Sequence, residues 1–273
     1  MTHGRRATVL ASALARTIHP GPAVAVTLAA TLLAVTWGAT AGTALLVAAA
    51  ALTGQLTVGW TNDLVDRDRD HRVGRRDKPL ATGEVAASTV LVATATAIVV
   101  TVTASLALGV RAGGLHLLLV ATGWAYNLGL KRTVLSWLPY AVCFGGLPVV
   151  VSLAARDAAG QGWTVLAGAL LGTGAHLVNA VPDLEDDRLT GVVGLPHRLG
   201  ARRSIDAATG LLVAGSVVTA VVPAGGVDVL ANVVLAACGV LLVAGRTSRD
   251  ARSAFRAAMG IALVDVVALL LRT

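Results

Sequence analysis

Long blocks of apolar residues are the feature that most constrains how this chain can fold. About 20 consecutive apolar residues cross the hydrocarbon core of a bilayer as one helix. Nine blocks of roughly that length occur, at 22–38, 41–62, 87–109, 112–130, 134–155, 163–182, 205–223, 227–245 and 254–271. They are longer than a barrel strand and do not alternate polar with apolar residues. The sequence therefore predicts an all-α membrane protein that forms one domain over residues 1–273.

The charged residues support this interpretation and give an orientation. Only 14% of residues are charged, whereas a soluble domain has about a quarter. The net charge of +7 does not indicate a nucleic-acid partner, because the basic residues lie between apolar blocks, where they set membrane orientation. With a cytoplasmic N-terminus, all 22 Lys and Arg residues except Arg111, Arg156 and Arg272 fall on the cytoplasmic side. We therefore expect a multi-pass protein of the cell membrane, in contact with lipid, with its C-terminus outside.

Most of the acidic residues are concentrated in two of the predicted cytoplasmic segments. Besides an N-terminal segment at 1–20, we expect cytoplasmic loops at 63–86 and 183–204. The first loop carries Asp63, Asp66, Asp68, Asp70, Asp77 and Glu84, and the second carries Asp183, Glu185, Asp186 and Asp187. One loop follows the second apolar block and the other follows the sixth, so both predicted clusters lie at helix ends.

The spacing of these residues predicts that their side chains share a helix face. If the second block continues as a helix, Asn62, Asp66 and Asp70 recur every four residues on one side. Asp183 and Asp187 have the same spacing, and His176 and Asn179 extend their stripe back into the sixth block.

Crowded carboxylates repel each other unless a cation lies between them, and hard oxygen ligands favour Mg²⁺, Mn²⁺ or Ca²⁺ over zinc. Mg²⁺ completes its coordination shell with water and substrate phosphates, so two facing clusters could hold a diphosphate through Mg²⁺. Four nearby basic residues could add charge-assisted contacts to the phosphate oxygens: Arg75, Lys78, Lys131 and Arg188.

Three other interpretations of the acidic segments stay open at this point. They could be solvated surface loops. Asp66-x-Asp68-x-Asp70 resembles the start of a calcium loop, although His71 follows where such a loop needs glycine and Asp77 stands where it needs a bidentate Glu. They could also form a cation-transport site, although transport acids usually lie near the middle of the membrane.

The motifs resemble those of the UbiA superfamily of intramembrane prenyltransferases. Asn62-Asp63-x-x-Asp66-x-x-x-Asp70 is similar to the first signature of that family, and Asp183-x-x-x-Asp187 is similar to the second. Residues 126–133 resemble its Tyr…Leu-Lys-Arg-x-Thr stretch, and residues 194–200 resemble its Thr-Leu-Pro-x-Arg-Leu-Gly segment. Residues 78–83 resemble its Arg-Pro-Leu-x-Ser-Gly segment, with Lys78 in place of Arg. The matches follow the family's order along nearly the whole chain.

This resemblance implies nine transmembrane helices around a central cavity, with a cytoplasmic cap. It also implies an enzyme in which Mg²⁺ binds an allylic isoprenyl diphosphate, the C–O bond ionises, and an acceptor, by default aromatic or a quinone precursor, captures the cation. The expected ligands of metal and diphosphate are Asn62, Asp63, Asp66, Asp70, Asp183 and Asp187. The resemblance further places Lys131 on the diphosphate and Tyr126 near the reacting carbon, so that Asp66, Asp183, Tyr126 and Lys131 form the expected catalytic set.

Other polar and aromatic residues near the expected cavity allow two interpretations each. Six aromatic residues could shield the allylic cation or belong to an interfacial aromatic belt: Trp60, Trp124, Tyr126, Trp137, Tyr140 and Phe144. His176 could deprotonate the acceptor or make a hydrogen bond between helices. Asp265, within the ninth block, is expected to contact a neighbouring helix.

Two alternative functions remain within this framework. A terpene cyclase of the same superfamily would let the substrate's own double bonds capture the cation, without an external acceptor. A transporter or lipid-binding scaffold would lack catalysis altogether.

Overall fold

The computed structural model of the chain describes residues 12–18, 20–247 and 251–272. Within this part of the chain there are nine helices of 17 residues or more and no strand. We number them α1 Pro20–Thr36, α2 Ala41–Arg72, α3 Ala87–Ala107, α4 Val110–Leu128, α5 Leu138–Arg156, α6 Gly162–Asn179, α7 Ala201–Val221, α8 Val229–Thr247 and α9 Ala251–Arg272. Each of the nine predicted apolar blocks therefore coincides with one long helix. Of the predicted N-terminal segment, residues 1–11 and 19 lie outside the described residues.

Five helical segments in the described part of the chain are long and apolar enough to cross a membrane: Ala41–Arg72, Ala87–Ala107, Leu138–Arg156, Gly162–Leu189 and Ala201–Val221. Two shorter apolar stretches accompany them, namely α1 at Pro20–Thr36 and the Val229–Gly245 part of α8. Leucine and valine side chains such as Leu45 and Val240 are exposed on the outside of the bundle. That arrangement fits lipid and not water as the surrounding solvent.

The helices pack through small residues and three apolar clusters. At the contact of α5 with α6, a Cβ on Gly172 would lie 2.7 Å from the Tyr140 carbonyl oxygen, so only glycine permits this close approach. One cluster joins α6 to α9 around Leu212 and Ile261. Another joins α1, α2 and α5 around Leu33 and Val151. The third packs residues near the N-terminus against α2 and α3.

Helix α2 is the element that carries the first acidic motif. Its 32 residues span about 48 Å, well beyond the roughly 30 Å of a bilayer's hydrocarbon core. The predicted block ended at residue 62, but the helix continues without a break to Arg72. Residues 63–72, which the sequence placed in a loop, are thus part of a rigid helix that ends at the turn around Gly74, where φ is +69°.

The second acidic motif has a different local structure. Helix α6 ends at Asn179, and a 3₁₀ turn at Val181–Asp183 follows before a short helix at Leu184–Leu189. Pro182 explains the interruption, because it has no N–H to donate and disfavours a helical conformation in the preceding residue. The expected continuous stripe from His176 through Asp187 is therefore wrong.

Candidate active site between two acidic motifs

The polar end of α2 is buried despite its charge. Asp63, Asp66 and Asp70 are each at most 3% exposed, and Asn62 is half-buried. Asn62, Asp66 and Asp70 share one helix face, as their spacing predicted, because the helix is continuous through them. Asp63 lies three residues before Asp66 and seven before Asp70, so it borders the same side of the helix. Buried carboxylates need counter-charges, and each of these three has one in the structure.

Two lysines from different loops supply part of that charge. Lys78 comes from the loop after α2, and its Nζ lies 2.7 Å from Asp63 Oδ1. Lys131 lies in a 3₁₀ turn at Leu130–Arg132, and its Nζ is 2.5 Å from Asp66 Oδ2. The same ammonium donates to Asn62 Oδ1 at 3.2 Å. Burial lowers the pKa of the Lys131 ammonium, and the Asp66 carboxylate opposes that shift.

Arg69 joins the two motifs. Its guanidinium lies 3.3 Å from Asp66 Oδ2 and 3.1 Å from Asp70 Oδ1, and it is also 3.6 Å from Asp187 Oδ1 of the second motif. The sequence prediction did not include this arginine. Its position three residues after Asp66 and directly before Asp70 was the available signal, because i and i+3 neighbours meet on a helix. Its contact with Asp187 depends on tertiary structure alone.

The second motif contributes its two aspartates unequally. Asp187 is partly buried, with 22% of its side chain exposed, and it contacts Arg69 and His197. Asp183, at the end of the 3₁₀ turn, is exposed. Through Lys131 and Arg69 the described structure therefore brings four of the expected ligands together: Asn62, Asp66, Asp70 and Asp187. The Asp183 side chain is exposed at the edge of this group.

His197 is a second residue that sequence reasoning missed. Its Nε2 lies 3.2 Å from Asp187 Oδ2, and its Nδ1 accepts a hydrogen bond from the Gly194 N–H at 3.1 Å. Burial lowers the pKa of the His197 imidazole, while the Asp187 carboxylate opposes the change. Ten residues separate the histidine from its aspartate, so no helical spacing could have predicted the pair.

Both arginines that were expected to bind the diphosphate make hydrogen bonds to groups of the protein itself. Arg75 makes a bidentate pair with Asp77, with Nε to Oδ1 and Nη2 to Oδ2 both at 2.9 Å. This hydrogen bonding lowers the pKa of the Asp77 carboxyl to about 2. Arg188 donates through Nη2 to the His197 carbonyl oxygen at 2.5 Å, so it supports the second loop.

An aromatic cluster lies between α4, α5 and α6. The Tyr126 ring meets Tyr140 edge-on with centroids 5.4 Å apart, and Phe144 stacks on Tyr140 at 6.4 Å. His176 belongs to the same cluster, 4.6 Å from Tyr140 and 5.9 Å from Tyr126. The Nε2 of His176 also lies 3.1 Å from Ser136 Oγ. His176 thus makes a contact between helical segments and borders the cluster at the same time.

The two tryptophans expected near the substrate lie outside this aromatic cluster. Trp60 is 8% exposed in the apolar cluster that includes Ala13 and Ile18, and its indole donates to the Leu14 carbonyl oxygen at 3.2 Å. Trp124 donates to Thr57 Oγ1 at 3.3 Å. Neither tryptophan joins the Tyr126 cluster, because residues 60 and 124 are on other faces of their helices. Their expected contacts with substrate gain no support from these positions.

The site has the chemistry of a hard-cation site, although its carboxylates are paired with the protein's own cations. In the described part of the chain, no three His, Cys, Asp or Glu side chains converge closely enough to hold a metal ion. Lys131 and Arg69 occupy the space between the carboxylates instead. Asp66 Oδ1 and Asp63 Oδ2 are nevertheless buried without a hydrogen-bond partner among the described residues. An unsatisfied buried carboxylate oxygen is costly, so Asp66 Oδ1, beside Asn62 and Asp70, fits Mg²⁺ in donor type and position on the stripe.

Comparison with known proteins matches the chain to one family model and to several solved structures. A model described as the UbiA prenyltransferase family matches residues 23–264. No curated protein is similar enough in sequence to match the chain. Among solved structures, the apo UbiA homologue from Aeropyrum pernix K1 is 19% identical with a TM-score of 0.73, over 90% of this chain and 97% of that one.

Two further structures are also similar. The UbiA homologue from Archaeoglobus fulgidus bound to GPP and Mg²⁺ is 17% identical with a TM-score of 0.71, over 95% of this chain and 99% of that one. A digeranylgeranylglyceryl phosphate synthase is 16% identical with a TM-score of 0.69, over 96% of both chains. At these identities the structural matches establish a shared fold.

Proposed function

This chain belongs to the UbiA prenyltransferase family, and on that premise we propose that it transfers an isoprenyl group from an allylic isoprenyl diphosphate to an acceptor inside the membrane. One observation carries the proposal most directly: Arg69 and Lys131 hold carboxylates of both acidic motifs in one buried cluster at the polar end of α2. Homologues of the same fold were solved with GPP or DMAPP together with Mg²⁺, which supports the same substrate class here.

The cluster would bind the diphosphate and stabilise its departure. Asn62, Asp66 and Asp70, with Asp183 and Asp187, would hold Mg²⁺, which when bound neutralises charge that develops on the leaving diphosphate. Lys131 and Arg69 would turn from the carboxylates toward the phosphate oxygens and donate charge-assisted hydrogen bonds. The Asp63 carboxylate is held by Lys78 of the first loop, so we assign this pair the role of fixing that loop against α2.

The aromatic cluster would receive the reacting end of the isoprenyl chain. Tyr126 lies five residues before Lys131, and its ring packs against Tyr140 and His176. Aromatic faces stabilise a nearby cation, and a site lined by such rings excludes water that would quench it. Of the aromatic residues named in the sequence prediction, Tyr126 is therefore our candidate for contact with the reacting carbon.

For the acceptor we propose an aromatic compound or quinone precursor. His176 borders the aromatic cluster and is 2% exposed. Its imidazole could therefore deprotonate a phenolic acceptor only if the acceptor enters between the rings of this cluster. The hydrogen bond to Ser136 would orient the ring for that task.

We also propose that all nine long helices cross the membrane and that the N-terminus is cytoplasmic. The support is the distribution of Lys and Arg in the sequence. In this arrangement the short helices at Pro79–Thr82, Leu184–Leu189 and Leu195–Leu199 would form a cytoplasmic cap over the acidic cluster.

The test is diphosphate release by the purified protein in lipid nanodiscs, with allylic diphosphates of different length, with and without aromatic acceptors. We expect prenylated acceptor in Mg²⁺ and none in EDTA. Asp66→Asn should lower the rate by about 10³-fold or more, since it removes several kcal/mol of transition-state stabilisation. Asp68→Asn is the matched control, because Asp68 is an exposed acid of the same helix on the opposite side from Asp66.

The same assay separates the alternatives. Cyclic hydrocarbons formed without acceptor would indicate a terpene cyclase. No diphosphate release with any substrate or acceptor would favour a non-catalytic scaffold and refute the proposal.

A further inference from the structure

His197 is a buried histidine whose two ring nitrogens have separate partners. Its side chain is 3% exposed. The backbone N–H of Gly194 donates to Nδ1 at 3.1 Å, so Nδ1 carries no proton in this arrangement. The proton of the neutral ring is then on Nε2, which lies 3.2 Å from Asp187 Oδ2 and donates to it.

Asp187 needs such support because its own helix is short. The segment Leu184–Leu189 has six residues and is separated from α6 by the 3₁₀ turn at Val181–Asp183. Asp70, by contrast, is carried by the continuous helix α2. The Asp187 carboxylate also contacts the charged guanidinium of Arg69, whose Nη1 lies 3.6 Å from Oδ1.

The histidine itself is fixed to the core of the protein. Gly194 is packed so closely that an added Cβ would lie 2.5 Å from the Lys131 carbonyl oxygen and 2.8 Å from Ser136 Oγ. The Leu195 N–H donates to Ser136 Oγ at 3.0 Å, and Ser136 is 1% exposed. The loop that bears His197 therefore rests on the turn that bears Lys131. Contacts therefore connect the turn that bears Lys131, through Gly194 and His197, to the Asp187 carboxylate.

We propose that His197 is a positioning residue that orients the Asp187 carboxylate toward the acidic stripe of α2. This inference rests on the proposed function, because it assigns Asp187 to the site that binds Mg²⁺ and diphosphate. With Nε2–H held on Oδ2, the other oxygen faces Arg69 and the first motif. Partners of this kind around a ligand typically change metal affinity by 10- to 100-fold.

Two substitutions separate the contacts of the ring. In His197→Asn the amide oxygen can take the place of Nδ1 and accept from Gly194, but the side chain is too short to reach Asp187. In His197→Gln the amide nitrogen can take the place of Nε2 and donate to Asp187. Both variants remove the imidazole, so any general effect of losing the ring is common to them.

The experiment measures Mg²⁺ binding to the purified protein by calorimetry in the presence of a non-hydrolysable prenyl diphosphate analogue, and thermal stability in EDTA. We expect His197→Asn to weaken Mg²⁺ binding by 10- to 100-fold, and His197→Gln to stay within about threefold of the unmodified protein. We expect His197→Asn to weaken binding no further when it is added to Asp187→Asn, because the histidine acts through that carboxylate.

Equal Mg²⁺ affinity of the Asn and Gln variants would overturn the proposal, as would additive effects of His197→Asn and Asp187→Asn. If both histidine variants lose thermal stability in EDTA and bind Mg²⁺ alike, the ring serves only to fold the loop, and the proposal fails. Asp66→Asn distinguishes this failure from failure of the proposed function. Unchanged Mg²⁺ binding in Asp66→Asn would refute the metal site itself, whereas lost binding there with normal binding in His197→Asn would refute only the role of His197.

Discussion

Lys131→Met tests whether the protein's own cations stand in for metal in the acidic cluster. Lys131 and Asp66 are 5% and 2% exposed in their side chains, with 2.5 Å between Nζ and Oδ2. Removing one partner of a buried ion pair leaves an uncompensated charge and costs about 3–5 kcal/mol. Because Arg69 still pairs with Asp66 at 3.3 Å, without divalent metal we expect Lys131→Met to lower the free energy of unfolding by the lower end of that range, about 3 kcal/mol.

Mg²⁺ should reverse much of this loss. Asp66 is on the stripe with Asn62 and Asp70, and its Oδ1 has no hydrogen-bond partner in the described part of the chain. In the unmodified protein Mg²⁺ competes with Lys131 and Arg69 for this carboxylate, whereas in the variant Lys131 no longer competes. A ligand at 100 times its Kd stabilises the folded state by about 2.7 kcal/mol. At saturating Mg²⁺ the gap between variant and unmodified protein narrows by RT ln of the ratio of their two Kd values, so an affinity about 30-fold higher in the variant would narrow it by about 2 kcal/mol.

Lys78→Met is the matched comparison. It breaks a similar pair, with 2.7 Å between Nζ and Asp63 Oδ1 and both side chains under 10% exposed. Asp63 borders the stripe, but because we assign the Lys78 pair to the first loop, Mg²⁺ should rescue this variant less than Lys131→Met. The assay is unfolding of each protein in mixed micelles, in EDTA and in Mg²⁺. Equal rescue of both variants would place Asp63 among the metal ligands, and no rescue of Lys131→Met would refute the reasoning about Asp66.

Three further predictions follow from other parts of the molecule. Gly194→Ala should destabilise the protein by about 1–3 kcal/mol, since the new Cβ would overlap the Lys131 carbonyl oxygen. The control Gly210→Ala, in an open position of α7, should stabilise the protein by up to about 1 kcal/mol. Equal shifts of the melting temperature in the two variants would contradict this prediction. His176→Ala should lower formation of prenylated acceptor but leave acceptor-independent hydrolysis of the diphosphate largely intact, because His176 lies in the aromatic cluster and not among the carboxylates; equal loss of both activities would remove it from the acceptor site. A reporter fused after Thr273 should be detected outside and one inserted near Arg76 inside the cell; detection of both on one side would show that the count of nine spans is wrong.

The positions of the helices could be predicted because their cause is local. A stretch of about 20 apolar residues is most stable as a helix in lipid whatever its neighbours are, since only a helix satisfies its own backbone hydrogen bonds. The nine blocks were therefore located within a few residues. The sequence was less informative where polar residues follow the apolar ones. It gave no clear end for α2, which continues to Arg72, whereas Pro182 marks the break after α6 in the sequence itself.

The residues of the first motif could likewise be predicted to share a face, because i, i+4 spacing is a property of one helix. Which cation meets which carboxylate could not, because that depends on loops that return to α2 from far along the chain. Lys131 reaches Asp66 across 65 residues. The position of Trp60 could not be predicted for the same reason, since its contact with Leu14 depends on how the chain near the N-terminus packs on α2.

The sequence by itself thus determined the class of the protein, its helices and the oxygen-rich chemistry of its two motifs, all of which depend on residue type and short spacing. Only the tertiary structure decided that Arg69 bridges the motifs, that Asp63 pairs with Lys78, and that His197 holds Asp187. The physical reason is that a buried carboxylate must be paired with whichever donor the packing brings to it. That donor is selected by the three-dimensional arrangement of distant segments, which no local pattern of residues encodes.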